Sequence, residues 1–219
     1  MGFGLKMHIS SVGIASIALA QSASNQHWNN GGTWSPGPAY PNNVSAGNLL
    51  VCCLLQNPNS SQAALTDTLG NTWNHVITSN PCTGDSNTTT QIWYVRTTTG
   101  GSCTISNIDG TVGNVEVVLF ELNGFSAGVV LDGTPTTALA NTNAACSCGP
   151  ITTTGSSTFL VSPWSTLGGG DTSETGWASI SPTIEGNQIE WLITTGPGSY
   201  TATWTPNDTY SSSLAGFTV

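Results

Sequence analysis

The chain has 219 residues, and only two are basic, Lys6 and Arg96, against eleven acidic ones, for a formal net charge of −9. Charged residues make up 6% of the sequence, where an ordinary soluble domain carries about 25%, so ion pairs cannot organise this fold and Ser, Thr, Asn and Gly must keep it soluble. Two cations cannot neutralise a run of phosphates or hold an anionic lipid surface, so neither nucleic acid nor charged membrane is an expected partner.

In chain order, residues 1–13 read as an N-terminal extension and 14–219 as a single domain, long enough for one continuous core. The apolar stretch from Ile9 to Ala20 falls short of the ~20 residues a membrane-spanning helix needs, so no membrane insertion is expected. It has the features of a short secretory signal, with Lys6 ahead of it and Ala18-Leu19-Ala20 at its end. The competing reading is a first β-strand starting at Ile14. As a strand, Ile9, Val12, Ile14, Ile17 and Leu19 offer a surface to lend to a neighbouring chain by β-augmentation.

A Gly- and Pro-rich connection follows, carrying Trp28, Trp34 and Tyr40. Leu49 to Leu55 is a continuous apolar run, the pattern of a strand buried on both faces. Within it Cys52 and Cys53 point to opposite faces and cannot easily bridge each other. Thr90 to Arg96 and Val115 to Leu122 follow the same logic. Later strands are expected at Thr158 to Ser162, Gln188 to Ile193, Tyr200 to Trp204 and Leu214 to Val219. In Tyr200 to Trp204, alternation puts Tyr200, Ala202 and Trp204 on one face and threonines on the other. Turn residues punctuate these runs at Leu69-Gly70-Asn71, Asp109-Gly110, Asp132-Gly133 and Gly196-Pro197-Gly198. No helical period is found.

Two segments recur. Ala46-Gly-Asn-Leu-Leu-Val is echoed by Gly155-Ser-Ser-Thr-Phe-Leu-Val, and Gly101-Ser-Cys-Thr-Ile ahead of Val115 is echoed by Gly198-Ser-Tyr-Thr-Ala ahead of Leu214. Two such halves interleaved predict an all-β fold: one jelly-roll-like β-sandwich of two antiparallel sheets with about four strands each. Ser16-Ile-Ala-Leu-Ala-Gln-Ser, Val44-Ser-Ala-Gly-Asn-Leu-Leu-Val, Asp67-Thr-Leu-Gly-Asn-Thr-Trp, Gln91-Ile-Trp-Tyr-Val and Phe120-Glu-Leu-Asn-Gly-Phe together resemble a widespread family of bacterial and phage extracellular β-sandwich modules. That resemblance implies a first strand over 17–24, a place at a cell or virion surface, and no agreed catalytic activity.

Candidate chemistry is sparse. Gly124-Phe-Ser126-Ala-Gly128 matches a nucleophile elbow, but every histidine, His8, His27 and His75, precedes it, and a triad with Asp85 or Asp109 would need an unusual order. Glu116 and Glu121, five apart on one strand, face opposite sides and cannot flank one bond; Glu185 and Glu190 share that spacing. No metal or other cofactor is expected, calcium being the one credible ion, on oxygens at Asp85, Asn87, Asp171, Asn207 and Asp208. Of six cysteines, Cys82, Cys103, Cys146 and Cys148 lie in loop-like surroundings and are disulfide candidates in an oxidising compartment. Trp93, Trp191 and Trp204 belong to strand patterns and to the core. Trp28, Trp34 and Tyr40, with Trp164 and Trp177 as a second set, are candidates to stack on a glycan or a neighbouring subunit. The sequence therefore predicts a non-catalytic extracellular assembly subunit, of a filament, tube or virion surface, that self-associates. The alternative is a carbohydrate-binding module built on the loop aromatics.

Overall fold

The computed structural model describes residues 16–57, 62, 64–84, 87–125, 128–166, 172–181 and 187–219. Ile9, Val12, Ile14, Asp85, Ser126, Asp171 and Glu185 lie outside the described residues. The described chain is all-β. Its strands are β1 (Ala18–Trp34), β2 (Leu49–Asn57), β3 (Thr66–Asp67), β4 (Asn74–Thr78), β5 (Thr89–Arg96), β6 (Ile105–Ser106), β7 (Ile108–Asn123), β8 (Val130–Leu131), β9 (Thr136–Thr153), β10 (Phe159–Thr166), β11 (Thr172–Ser173), β12 (Ala178–Ile180), β13 (Gln188–Ile193) and β14 (Gly198–Thr218).

The strands form a five-stranded sheet in the order β1-β7-β2-β5-β4, a seven-stranded sheet, and a small β3-β6 ribbon. In the larger sheet β8 and β9 lie end to end along one edge of β14, and β10 and β11 lie along the other. Its columns therefore run β9-β14-β10-β13-β12, which repeats the order of the first sheet strand for strand. The register repeats too. Leu49 pairs with Leu122 and Arg96, as Phe159 pairs with Phe217 and Ile193. Each half of the chain thus builds a sheet of its own. This corrects the expected arrangement of four strands against four: the duplicated halves are not interleaved, and the second sheet, with seven strands, curls into a nearly closed barrel.

Alternation along the central strands explains why both faces are occupied. Leu49, Val51, Cys53 and Leu55 of β2, with Val118, Phe120 and Leu122 of β7, face Phe159, Val161, Ile189, Ala215 and Phe217 of the other sheet in one shared core. The intervening Leu50, Cys52 and Leu54, with Val115, Val117 and Leu119, face outward onto a second cluster capped by Tyr40, Val44, Leu65 and Trp73. Cys52 and Cys53 fall on opposite faces, as their adjacency requires. A third cluster fills the concave side of the curled sheet: Cys146, Cys148 and Ile151 of β9, Leu160 and Trp164 of β10, and Ala202, Trp204, Tyr210 and Leu214 of β14. Tyr200 to Trp204 and Leu214 onward, read as two strands from sequence, are one strand of 21 residues. Register shifts between Trp204 and Tyr210 mark where it departs from regular pairing, as bulges bend a strand.

With almost no charges available, hydroxyl pairs join the sheets where the apolar contact ends. Ser79 Oγ lies 2.5 Å from Ser211 Oγ, and Thr90 Oγ1 lies 2.8 Å from Ser213 Oγ, all four residues buried. The start of β1 is held just as closely. Gly124, at φ +94°, lets the chain pass so near that a Cβ there would sit 2.9 Å from the Ser16 carbonyl oxygen and 3.0 Å from Ile17 Cα. Ile17 is buried in the shared core and Leu19 packs against it. Those two members of the expected lending strand are therefore committed to their own chain.

Candidate functional site

The loop aromatics do not form one platform. Gly31-Gly32 does not end the first strand: β1 runs on to Trp34, pairing with β7 down to Ile108. Trp28 is 62% exposed on this strand. Trp34 is half-buried against the outer cluster, its ring stacked 4.8 Å from His27. Tyr40 is buried and its hydroxyl donates to the Phe120 carbonyl at 3.3 Å. Burial, then the neighbouring Cys52 and Cys103, pushes its phenol pKa well up. Trp164 is fully buried, 6.0 Å from Trp204 and 5.2 Å from Tyr210, and Trp177 packs half-buried against the same cluster. Tyr40 and Trp164 fill sheet faces and offer no ring to a glycan. Among the five, Trp28 alone presents a mostly exposed ring.

The carboxylates act locally. Glu121 accepts from Ser45 N at 2.8 Å, Asn48 Nδ2 at 2.7 Å and Gln21 Nε2, tying β7 to the connection ahead of β2. Glu116, on the opposite face, accepts from Asn114 Nδ2 at 2.8 Å. Asp67 accepts from Leu69 N, Asn71 N, Asn71 Nδ2 and Trp73 Nε1 at 2.8 to 3.1 Å, locking the 67–73 loop. Asp132 accepts from Thr154 N, Gly155 N, Thr154 Oγ1 and Thr158 Oγ1. Burial alone would raise the pKa of Asp132, but these donors outweigh it and the pKa falls below the usual value. Asp67 thus makes an Asx turn with Leu69 N, whereas Asp132 ties the turn ahead of β9 to the connection between β9 and β10. Of the residues considered for calcium, Asp208 is buried with Oδ1 accepting from Thr209 N at 2.6 Å. Among the described residues no three His, Cys, Asp or Glu side chains are grouped to hold a metal ion.

Glu190 is different. It lies opposite Ser162 and Ser179 on the concave face of the curled sheet, fully buried, and neither carboxyl oxygen has a hydrogen-bond partner. Burial first, and Glu174 second, drives its pKa up to about 9. The Trp164 indole holds that rise back slightly without making a bond of normal geometry; its Nε1, like that of Trp204, is unpartnered. At neutral pH Glu190 is thus a carboxylic acid beside the Trp164 indole. In the first half Trp93 occupies the equivalent position, and its indole donates to Gln91 Oε1 at 3.0 Å, with Gln91 bonded to Gln56 at 2.6 Å. The spacing of Glu185 and Glu190 is expected to keep the two apart; nothing in the sequence signals Trp164, which the pairing of β10 with β13 brings to Glu190.

None of the disulfide candidates is joined in a disulfide, nor are Cys52 and Cys53, and all six cysteines are buried. Cys146 and Cys148 are alternate residues of β9, not of a loop, and face one cluster. Cys82 donates to the Ala140 carbonyl at 3.2 Å beside β9, whereas Cys103 is packed with Cys52 behind the first sheet. Burial raises the Cys103 thiol pKa to about 12 and that of Cys148 to about 11. His75 is 4.8 Å from the Trp93 ring with Nε2 2.8 Å from Thr78 Oγ1, and burial lowers its pKa. No protein-family model, curated protein or solved structure matches the chain.

Proposed function

We propose that this protein is a non-catalytic structural subunit displayed outside the cell or on a virion, related in kind to the β-sandwich modules its motifs resemble, and that it self-associates edge to edge through β1. The observation that carries this is an unguarded edge. β1 is 17 residues long, ends its sheet, and among the described residues pairs with one strand, β7. It contains no Lys, Arg, Asp, Glu or Pro, the residues by which proteins normally discourage strand addition. Ser24, Asn25, Gln26 and Trp28 are exposed along it. The equivalent edge in the second half is less open: β9 contains Pro150, and Thr83 N donates to Asn141 Oδ1 beside it at 2.9 Å.

Static light scattering across a concentration series tests this. The native chain should grow into large particles, and a Ser24→Lys, Gln26→Lys double variant should stay near the 22.5 kDa monomer. A native chain that remains monomeric at high concentration refutes the proposal. The glycan-binding alternative rests on Trp28, whose ring remains open; glycan-array binding by the monomeric double variant, lost on Trp28→Ala, would favour it.

A further inference from the structure

A pocket of ≈ 500 Å³ opens beside the first sheet, lined by the 69–72 loop, Asn74 of β4, Tyr94, Val95 and Arg96 of β5, Thr98 and Val129. Its volume lies within the ~300 to 1,000 Å³ of small-molecule sites. Its walls are fixed in advance. Asp67 holds the 69–72 loop through backbone and side-chain bonds, and the Arg96 guanidinium is anchored by Nε donating to the Phe125 carbonyl at 2.8 Å. Tyr94 is braced by Phe217, with ring centroids 5.2 Å apart. Arg96 is also the one Lys or Arg among the described residues, in a chain of net charge −9.

The duplication supplies an internal comparison. Strand pairing places Asn74 opposite Tyr94, as Ala178 lies opposite Trp191, and Leu49 opposite Arg96, as Phe159 lies opposite Ile193. Asn74, Tyr94 and Arg96 therefore correspond to Ala178, Trp191 and Ile193. Where one half holds a methyl, an indole and an aliphatic chain, the other gathers an amide, a phenol and a guanidinium around an open volume. The shared strand plan does not dictate those groups, because the twin sheet is built on the same plan without them.

From this we infer that the pocket binds a sugar ring carrying a carboxylate, of the uronic-acid class. A guanidinium matches a carboxylate in planar, two-point geometry. Asn71, Thr72, Asn74 and Thr98 supply donors and acceptors spaced around the rim for ring hydroxyls, and Leu69, Val129 and the Tyr94 ring give apolar contact for the ring's C–H face. This site is separate from β1 and stands or falls independently of assembly.

Titration of the full chain with glucuronate, glucose and acetate, followed by backbone NMR shifts or calorimetry, tests the inference. Glucuronate should saturate with shifts at 69–74 and 94–98, with glucose and acetate at least about tenfold weaker. Arg96→Gln should weaken glucuronate at least about tenfold, the scale of a lost charge-assisted pair. Because Arg96 also anchors Phe125, Asn74→Asp serves as a second variant, at an exposed position of the edge strand β4: by adding a like charge it should weaken glucuronate more than it weakens glucose. No saturation by glucuronate, equal binding of glucose, or unchanged affinity in Asn74→Asp overturns it.

Discussion

Replacing Glu190 by Gln should stabilise the protein at neutral pH and flatten its pH dependence. The free carboxyl in an unfolded chain titrates near 4.5, whereas the folded environment raises it to about 9. A group whose folded pKa is raised leaves full stability below the unfolded value and removes it as pH climbs toward the folded one. Each unit is worth about 1.4 kcal/mol. At pH 7, two and a half units above the unfolded value, the native chain has lost about 3 kcal/mol, rising to about 6 kcal/mol beyond pH 9. Against a typical total of ~5 to 15 kcal/mol this is large. Gln has nearly the same shape, is neutral throughout, and meets the same Trp164. Urea unfolding at intervals from pH 4 to pH 9.5 should therefore show the native curve falling steadily and the Glu190→Gln curve almost flat, the two meeting near pH 4.5. Parallel curves, or a variant less stable than the native chain at pH 7, would refute the assignment of a neutral acid at this position.

Three further outcomes follow from the same geometry. Glu121→Ala should cost about 1 to 3 kcal/mol in urea unfolding, because it removes the acceptor shared by Ser45 N and Asn48 Nδ2, while Gln21 Nε2 keeps the Asn42 carbonyl; a loss near zero would show that water replaces the carboxylate. All six thiols should resist a thiol-reactive probe in the native state and react together on unfolding, and added reductant should leave Tm unchanged; a Tm that drops with reductant would mean disulfides form after all. Gly133→Ala should destabilise by more than about 1 kcal/mol, since Gly133 has φ +85° and a Cβ there would meet the Thr152 carbonyl oxygen at 2.5 Å; an unchanged unfolding midpoint would show that the turn relaxes.

The central strands were legible because burial on both faces leaves an unbroken apolar run, as in Leu49 to Leu55, and Gln188 to Ile193 is an element in full. The repeated segments were legible as well, and they mark the starts of β2 and β10. What a sequence of this kind conceals is the edge. β9 reads Thr-Thr-Ala-Leu-Ala-Asn-Thr-Asn-Ala-Ala, without strict alternation, because one side of the strand meets only β14 and the residues need only be small and polar. The same is true of β1 beyond Gln26, where Asn and Gly look like a turn but pair regularly with β7. The jelly-roll expectation failed for a related reason: repetition tells that two halves share a plan, but whether their strands interleave depends on long-range pairing that no local signal encodes. Trp164 is expected as a stacking ring from its place before the glycine run at 168–170, but Ser162, Ser165 and Thr166 are buried with it.

The two halves show how a nearly uncharged duplication diverges. Positions equivalent by strand pairing keep their burial but exchange chemistry: Trp93 for Glu190, Cys52 for Ser162, Arg96 for Ile193. In the first half the Trp93 indole at that position closes on Gln91 and Gln56, and Arg96 sits at the rim, beside an open pocket. In the second half the acid went inward, where it remains unpaired, and the rim is apolar. Acid pH acts from the other side, since the hydrogen-bonded carboxylate of Asp132 contributes stability above its unfolded pKa and loses it as pH falls through the depressed folded value. Asp132 and Glu190 together confine greatest stability to a window between about pH 4 and 5, which encloses the isoelectric point of ≈ 4.2. At that pH long-range repulsion between copies is at its weakest, so the proposed pairing along β1 should show in light scattering at the lowest concentrations there, in the range where Asp132 and Glu190 both favour the folded chain.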